Sequence, residues 1–224
     1  MRVIGITGGV GAGKSEILAF LEKDCKARVF QADAAGHRVM EPGTDAFEQI
    51  AALFGSEILG QEGRIDRRAL GAVVFSDEEK RKALNQIIHP AVKAMALEEI
   101  ARAGEEGGCE LFVIEAALLI EDHYEEICDE LWYIYAEPQV RRERLRASRG
   151  YSDEKISAVF ASQLSDEEFR KHCQAVIDNN GCIEKAYKEI QGQIDKALEI
   201  AYLLEEADSL PGAGRKEPGT ACLD

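Results

Sequence analysis

Near the start of the chain, Gly8-Gly9-Val10-Gly11-Ala12-Gly13-Lys14-Ser15 sets out a glycine, four residues, then Gly-Lys-Ser. Each residue type answers a need of phosphate chemistry. Glycines let the backbone turn so that several N–H groups point into one concavity, and the missing side chains let an anion come close. A helix beginning near Gly13 aims its positive end at the same point. Lys14 can reach the outer phosphates and the Ser15 hydroxyl can ligate magnesium. With twenty glycines in 224 residues, chance yields this spacing in about one such chain per hundred. The plain alternative is a glycine-rich turn that caps a helix. A dinucleotide fingerprint fits less well, because Lys14 and Ser15 are surplus to it, although Asp33 stands about where its ribose-binding acid would be. The segment reads as a nucleoside-triphosphate site, a P-loop.

Other residues of chemical interest follow short apolar runs. Asp33 comes after Ala27–Phe30, and Glu115 after Leu111–Ile114. Asp33 suits a carboxylate that orients an acceptor hydroxyl, or an N-cap for a helix starting near Ala34. Glu115 suits ordering magnesium-bound water, or capping a turn. Arg141, Arg142, Arg144, Arg146 and Arg149 crowd one expected helix, either as a clamp on triphosphate oxygens or as a solvated face paired with Glu143. The third apolar run is not followed by D-x-x-G and no N-K-x-D occurs, so a guanine-nucleotide switch is not expected.

The elements that must position these residues can be read from apolar runs. Strands are expected at Arg2–Ile6, Ala27–Phe30, Leu111–Ile114, Leu131–Tyr135 and Ala175–Ile177. Ile17, Leu18 and Leu21 fall at helical spacing after the loop. From Ala34 to about Ala103 the pattern is helical, with breaks expected at Pro42-Gly43, Gly55, Gly60–Gly63 and Pro90. Charged helices are expected over Pro138–His172, and a long one from Ile183 to Glu206. The expected fold is α/β, a five-stranded parallel sheet with helices on both faces, of the P-loop nucleoside-triphosphate hydrolase type. Its core takes residues 1–33, 105–137 and 173–206. Residues 34–104 form a helical acceptor insertion, 138–172 a lid, and 207–224 a flexible tail. Ligands in such a sheet sit at the carboxyl ends of the strands. An insertion beside the phosphate loop and an arginine-rich lid suit a small-molecule kinase, which must exclude water to avoid hydrolysing its donor.

The ordered motifs carry a resemblance to the dephospho-CoA kinase family. They are IGITGGVGAGKS, Ala32-Asp33, Ile65-Asp66-Arg67-Arg68-Ala69-Leu70, Val74-Phe75, Ile88-His89-Pro90, Leu118-Leu119-x-Glu121, Gln163, and Val176-Ile177-Asp178-Asn179-Asn180-Gly181. The resemblance runs from Val3 to about Ala197. It departs from the family's habit at Gln31 (usually acidic), Glu115 (usually aspartate) and Ala117 (usually proline), and the segment ending Arg149-Gly150-Tyr151-Ser152 is about one residue short. The resemblance implies ATP-dependent phosphorylation of the 3′-hydroxyl of dephospho-CoA, the last step of coenzyme A biosynthesis, with Mg²⁺. It implies catalytic roles for Lys14, Asp33, Arg142 and Arg149. Nucleotide contacts fall to Gly8 through Glu16 (Gly8, Gly9, Val10, Gly11, Ala12, Gly13, Lys14, Ser15, Glu16) and, at the adenine, to Asn179 and Asn180. Substrate contacts fall to Asp33, Arg67, His89 and Leu118, and metal contacts to Ser15 and, through water, Glu115. The residues themselves leave other readings open: Arg67 and Arg68 pairing with Asp66, His89-Pro90 ending a helix, Asn179-Asn180 forming a turn. Another P-loop kinase acting on a nucleoside monophosphate or a shikimate-like alcohol remains an alternative, as does a regulatory nucleotide-binding module.

Composition narrows the partners. Twenty-seven basic and 42 acidic residues give a net charge of −15, which repels nucleic acid over most of the surface. Six cysteines form no C-x-x-C pair, and His123, Cys128, His172 and Cys173 show no metal-binding pattern, so reduced, packed thiols are expected. Leu111–Ile120 is too short for a bilayer span and contains Glu115. The opening MRVIGITGG lacks the apolar core and cleavage site of a signal peptide. A cytoplasmic protein is expected, monomeric or a weak homo-oligomer, with no membrane or nucleic-acid partner.

Overall fold

Strands that are apolar on both faces need cover on both faces, and that requirement shapes the fold. A computed structural model describes residues 1–209. Five strands, β1 (Arg2–Thr7), β2 (Arg28–Gln31), β3 (Leu111–Glu115), β4 (Glu130–Tyr135) and β5 (Ala175–Asp178), form one sheet in the order β2-β3-β1-β4-β5. Every neighbouring pair is parallel. Ile6 lies level with Glu115, and Glu115 with Gln31. The chain therefore leaves β1, β2 and β3 at one edge, which gathers the loops and helix starts that come after these strands.

Alternation along β1 sorts the two faces. Ile4 and Ile6 join Trp132, Ile134 and Ile177 beneath α1 (Lys14–Lys23) and α9 (Ile183–Ser209), which contribute Ile17, Leu21, Ile190 and Ile194. Val3 joins Phe112, Ile114, Leu131 and Tyr133 on the other face, covered by Val92 and Ala96 of α5 (Glu78–Glu106) and Phe169 of α8 (Asp166–His172). Before α5, the insertion adds α2 (Ala32–Arg38), α3 (Asp45–Phe54) and α4 (Arg67–Phe75). It carries its own small core of Ile50, Phe54, Ile58, Leu70 and Leu84. Thr44 caps α3 by accepting from the Phe47 amide, and Asp66 caps α4 by accepting from those of Arg68 and Ala69. The arginine-bearing α6 (Pro138–Arg149) opens on a proline at its first turn, followed by α7 (Asp153–Ala161).

Several expectations need correction. Pro90 does not break the longest helix among the described residues, since α5 runs unbroken through it. A mid-helix proline costs about 3 kcal/mol in propensity. Here Leu84, Ile87 and Ile88 are held in the insertion's core while Val92, Ala96 and Ala103 are held against the sheet, and burial on both sides outweighs the lost hydrogen bond. The same helix packs both in the insertion's own core and against the sheet. Asp33 is not a helix cap: α2 begins at Ala32 with Gln31 as its cap residue, and Asp33 sits in the first turn. Helix α9 continues to Ser209, three residues into the expected tail. The tail from Leu210 onward lies outside the described residues.

Candidate functional site

Between β1 and α1 the phosphate loop turns through left-handed backbone at Gly11 (φ 86°) and Gly13 (φ 90°), where a side chain would be strained. Gly8 is needed for another reason, because a Cβ there would stand 2.5 Å from the Ile134 carbonyl oxygen. Residues Gly9 to Glu16 line a cavity of about 750 Å³, together with Asp33, His37, Glu115, Arg144 and Arg149. The start of α1 at Lys14 gives this cavity its anion-binding character.

Lys14 reaches back so that Nζ donates to the Gly8 carbonyl oxygen at 2.6 Å, and it stands 3.9 Å from Glu115 Oε1. Burial lowers the Lys14 pKa; the Glu115 charge opposes that, while Arg141 adds to it. Burial raises the Glu115 pKa, with Lys14 pulling the other way. Both shifts express one fact: the cavity floor is dry enough to disfavour either charge alone, and each steadies the other.

A second cavity of about 380 Å³ adjoins the first and shares Asp33, His37 and Ala117 with it. Leu118 (41% exposed) and His89 lie on its wall, and the His89 ring Nδ1 is 2.8 Å from Asp122 Oδ1. A smaller cavity of about 210 Å³ continues past His37 and Met40 to Arg64 and Arg67. Asp66 is occupied as the cap of α4, and no ion pair joins it to Arg67 among the described residues. The chain thus brings Lys14, Ser15, Glu16, Asp33, Glu115 and Arg149 to one cavity, and Asp33, His89 and Leu118 to the next.

Five expected contacts do not line these two cavities: Gly8, whose carbonyl accepts from Lys14, Arg67, which lines the third cavity, and Arg142, Asn179 and Asn180. Arg142 turns to α7, where its guanidinium meets the Asp153 carboxylate at the helix start and the Ser157 hydroxyl one turn further on. Asn179 is 2% exposed, and its amide Nδ2 donates to the Ala12 carbonyl at 2.7 Å. Asn180 ties two turns together, accepting from the Glu137 amide at 2.6 Å and donating to Asp178 at 2.7 Å. Neither asparagine lines the cavity.

One cavity residue, His37, escapes a reading of the sequence, and another, Arg144, is named there only as one of five clustered arginines. His37 is four residues after Asp33, one helical turn along the same face, and that spacing carries the signal. Arg144 shares a face of α6 with Leu145 and Ser148, both on the cavity wall. A period of 3.6 sets Arg144 apart from Arg142 and Arg146, which meet Asp153, but leaves Arg149 in phase with those two, so periodicity alone does not pick out the cavity arginines.

A parallel sheet with a phosphate loop after β1, a helical insertion after β2 and an arginine-bearing helix after β4 defines a P-loop small-molecule kinase. Comparison with known proteins makes this particular. The chain belongs to the dephospho-CoA kinase family, whose model matches residues 2–185. It is 38% identical to the dephospho-CoA kinase of Anaeromyxobacter dehalogenans over 218 residues, covering 97% of each chain. Among solved structures it is similar to TT1252 from Thermus thermophilus (33% identity, TM-score 0.73), with 87% of this chain and 97% of that one covered. It is also similar to the dephospho-CoA kinase from Campylobacter jejuni (25% identity, TM-score 0.65), with 88% and 99% covered.

Proposed function

We propose that this chain transfers the γ-phosphoryl group of ATP to the 3′-hydroxyl of dephospho-CoA, releasing ADP and coenzyme A. The observation that carries this reading is Asp33, which lines both the phosphate-loop cavity and the less polar cavity beside it. A carboxylate at that junction accepts a hydrogen bond from an acceptor hydroxyl and turns its oxygen toward a donor held in the loop. The bond from the acceptor oxygen to phosphorus forms as the bond to ADP breaks, and the hydroxyl proton passes to Asp33 and on to solvent.

Lys14 leaves the Gly8 carbonyl for phosphate oxygen when nucleotide binds. Arg149, exposed at the end of α6 on the cavity wall, closes on the charge that spreads over the transferring group. His89, oriented by Asp122, and Leu118 hold the acceptor, while Arg67 with Arg64 meets its anionic portion.

The donor set also fits magnesium. Ser15, Glu115 and Asp33 offer hard oxygens to one cavity, and among the described residues no group of three or more His, Cys, Asp or Glu assembles a metal cage. A cation carried mainly by phosphate oxygens and water needs no such cage. When bound, it neutralises phosphate charge.

An acceptor panel tests the proposal. With Mg·ATP present, dephospho-CoA should be phosphorylated far faster than AMP, CMP or shikimate. A preference for any of the other three, or ATP consumption without a phosphorylated acceptor, contradicts it.

A further inference from the structure

A phosphate loop works only if its carbonyl oxygens face away from the anion, because one carbonyl turned inward replaces attraction with repulsion. In this chain two carbonyls of the loop are held from outside by arginines of the lid helix. Arg141 Nε donates to the Val10 carbonyl oxygen at 2.9 Å, and Arg144 Nη1 to that of Ala12 at 3.3 Å. Asn179 Nδ2 donates to the same Ala12 oxygen at 2.7 Å, and Arg144 Nη2 in turn to the Asn179 carbonyl at 2.8 Å. Gln163 completes the set: its Oε1 accepts from Arg141 Nη2 at 2.5 Å and from the Val10 amide at 3.3 Å.

Packing supports the same view. A Cβ at Gly9 would fall 2.2 Å from the Arg141 guanidinium carbon, and one at Gly13 would fall 2.4 Å from Asn179 Nδ2. These two glycines thus make room behind the loop as well as in front of it. Neither Arg141 nor Arg144 has a carboxylate partner among the described residues, whereas Arg142 and Arg146 on the opposite face share Asp153. The Arg141 guanidinium lies 4.2 Å over the Phe160 ring of α7, so the lid fixes it in place. Arg141 does not line the nucleotide cavity at all.

We propose that Arg141, Arg144, Gln163 and Asn179 are positioning residues that brace the phosphate loop from behind, coupling the lid and the β5 turn to the loop's anion-binding shape. This rests on the nucleotide site proposed above and adds that Arg141 acts without touching triphosphate. The brace serves the whole loop, which cradles the inner phosphates. Its loss therefore weakens ATP and ADP alike, whereas loss of a γ-phosphate ligand weakens ATP alone.

Isothermal titration of full-length Arg141→Met and Gln163→Ala with Mg·ATP, Mg·ADP and dephospho-CoA separates the cases. Methionine keeps the aliphatic packing and removes the donors. The expected result for Arg141→Met is an equal loss for ATP and ADP, about tenfold, in line with losing charged hydrogen bonds, with dephospho-CoA affinity and melting temperature near wild type. Arg141→Lys, which restores one donor, should recover part of the loss, and Gln163→Ala should show a smaller equal loss. A loss confined to ATP, no loss, or a parallel loss of dephospho-CoA affinity with a lowered melting temperature overturns the brace. If the wild-type chain binds no Mg·ATP, the underlying nucleotide reading fails first, and separately.

Discussion

Lys14 and Glu115 show how a site can hold two charges that its surroundings disfavour. Burial lowers the lysine's pKa and raises the glutamate's, and each is partly restored by the other. In Glu115→Gln the lysine loses the charge that raised its pKa, so it becomes neutral at lower pH. A neutral lysine holds phosphate poorly, and the alkaline limb of the pH profile of kcat/KM, which reports the free enzyme, should move to lower pH. A limb that stays in place or moves upward would show that Glu115 does not support the lysine's charge. Elsewhere burial pushes the Cys128 and Cys173 thiols up to about 12, which keeps them protonated and inert near neutrality. At this scale the phosphate loop is legible in the sequence alone, because its chemistry is set by consecutive residues. Arg142 and the two asparagines are not. Whether a guanidinium meets Asp153 or a phosphate, and whether an amide faces a ligand or the Ala12 carbonyl, depends on helix rotation and on partners that can lie more than a hundred residues away.

At the scale of elements, α5 carries the most information. It links the insertion's core to the sheet and presents His89 to the second cavity. Pro90 sits exposed in the middle of this rod, and without an N–H it leaves the Gln86 carbonyl unpaired in the helix. Replacing it with alanine restores that bond and improves helix propensity, against the entropy that proline removes from the unfolded chain. Pro90→Ala should raise unfolding stability by about 1–2 kcal/mol on this balance, measured by chemical denaturation. A lower midpoint would show that packing needs the proline. The sequence marks this position as a break because local propensity favours one; burial on both sides decides otherwise. Strand positions are read more faithfully, since runs such as Leu111–Ile114 and Leu131–Tyr135 have no other way to hide two apolar faces. Strand ends extend by a residue at Gln31, Glu115 and Asp178, polar positions that hydrophobicity alone does not count.

For the molecule as a whole, the net charge of −15 leaves little room for a broad positive surface. Lys14 feels the carboxylates of Glu115 and Asp33 as well as Arg141 and Arg149, so the affinity of this cavity for a polyanion rests on the loop and the start of α1 more than on an excess of cationic side chains. Sheet order then supplies the second component. Because β3 lies between β1 and β2, Asp33 and Glu115 emerge at the same sheet edge as the phosphate loop, and the insertion after β2 brings a second cavity to Asp33 itself. The alternation of strands with helices makes this architecture readable from sequence. The contact between the two cavities is not readable there, since it arises only when α2, α5 and the β3 turn meet. Central to the account is the carboxylate at that junction, and the most direct measurement pairs turnover with nucleotide binding in Asp33→Asn. Transfer from ATP to dephospho-CoA should fall by at least ~100-fold, the scale of a lost general base, while Mg·ATP affinity stays near wild type. Turnover like wild type in that variant would contradict the account.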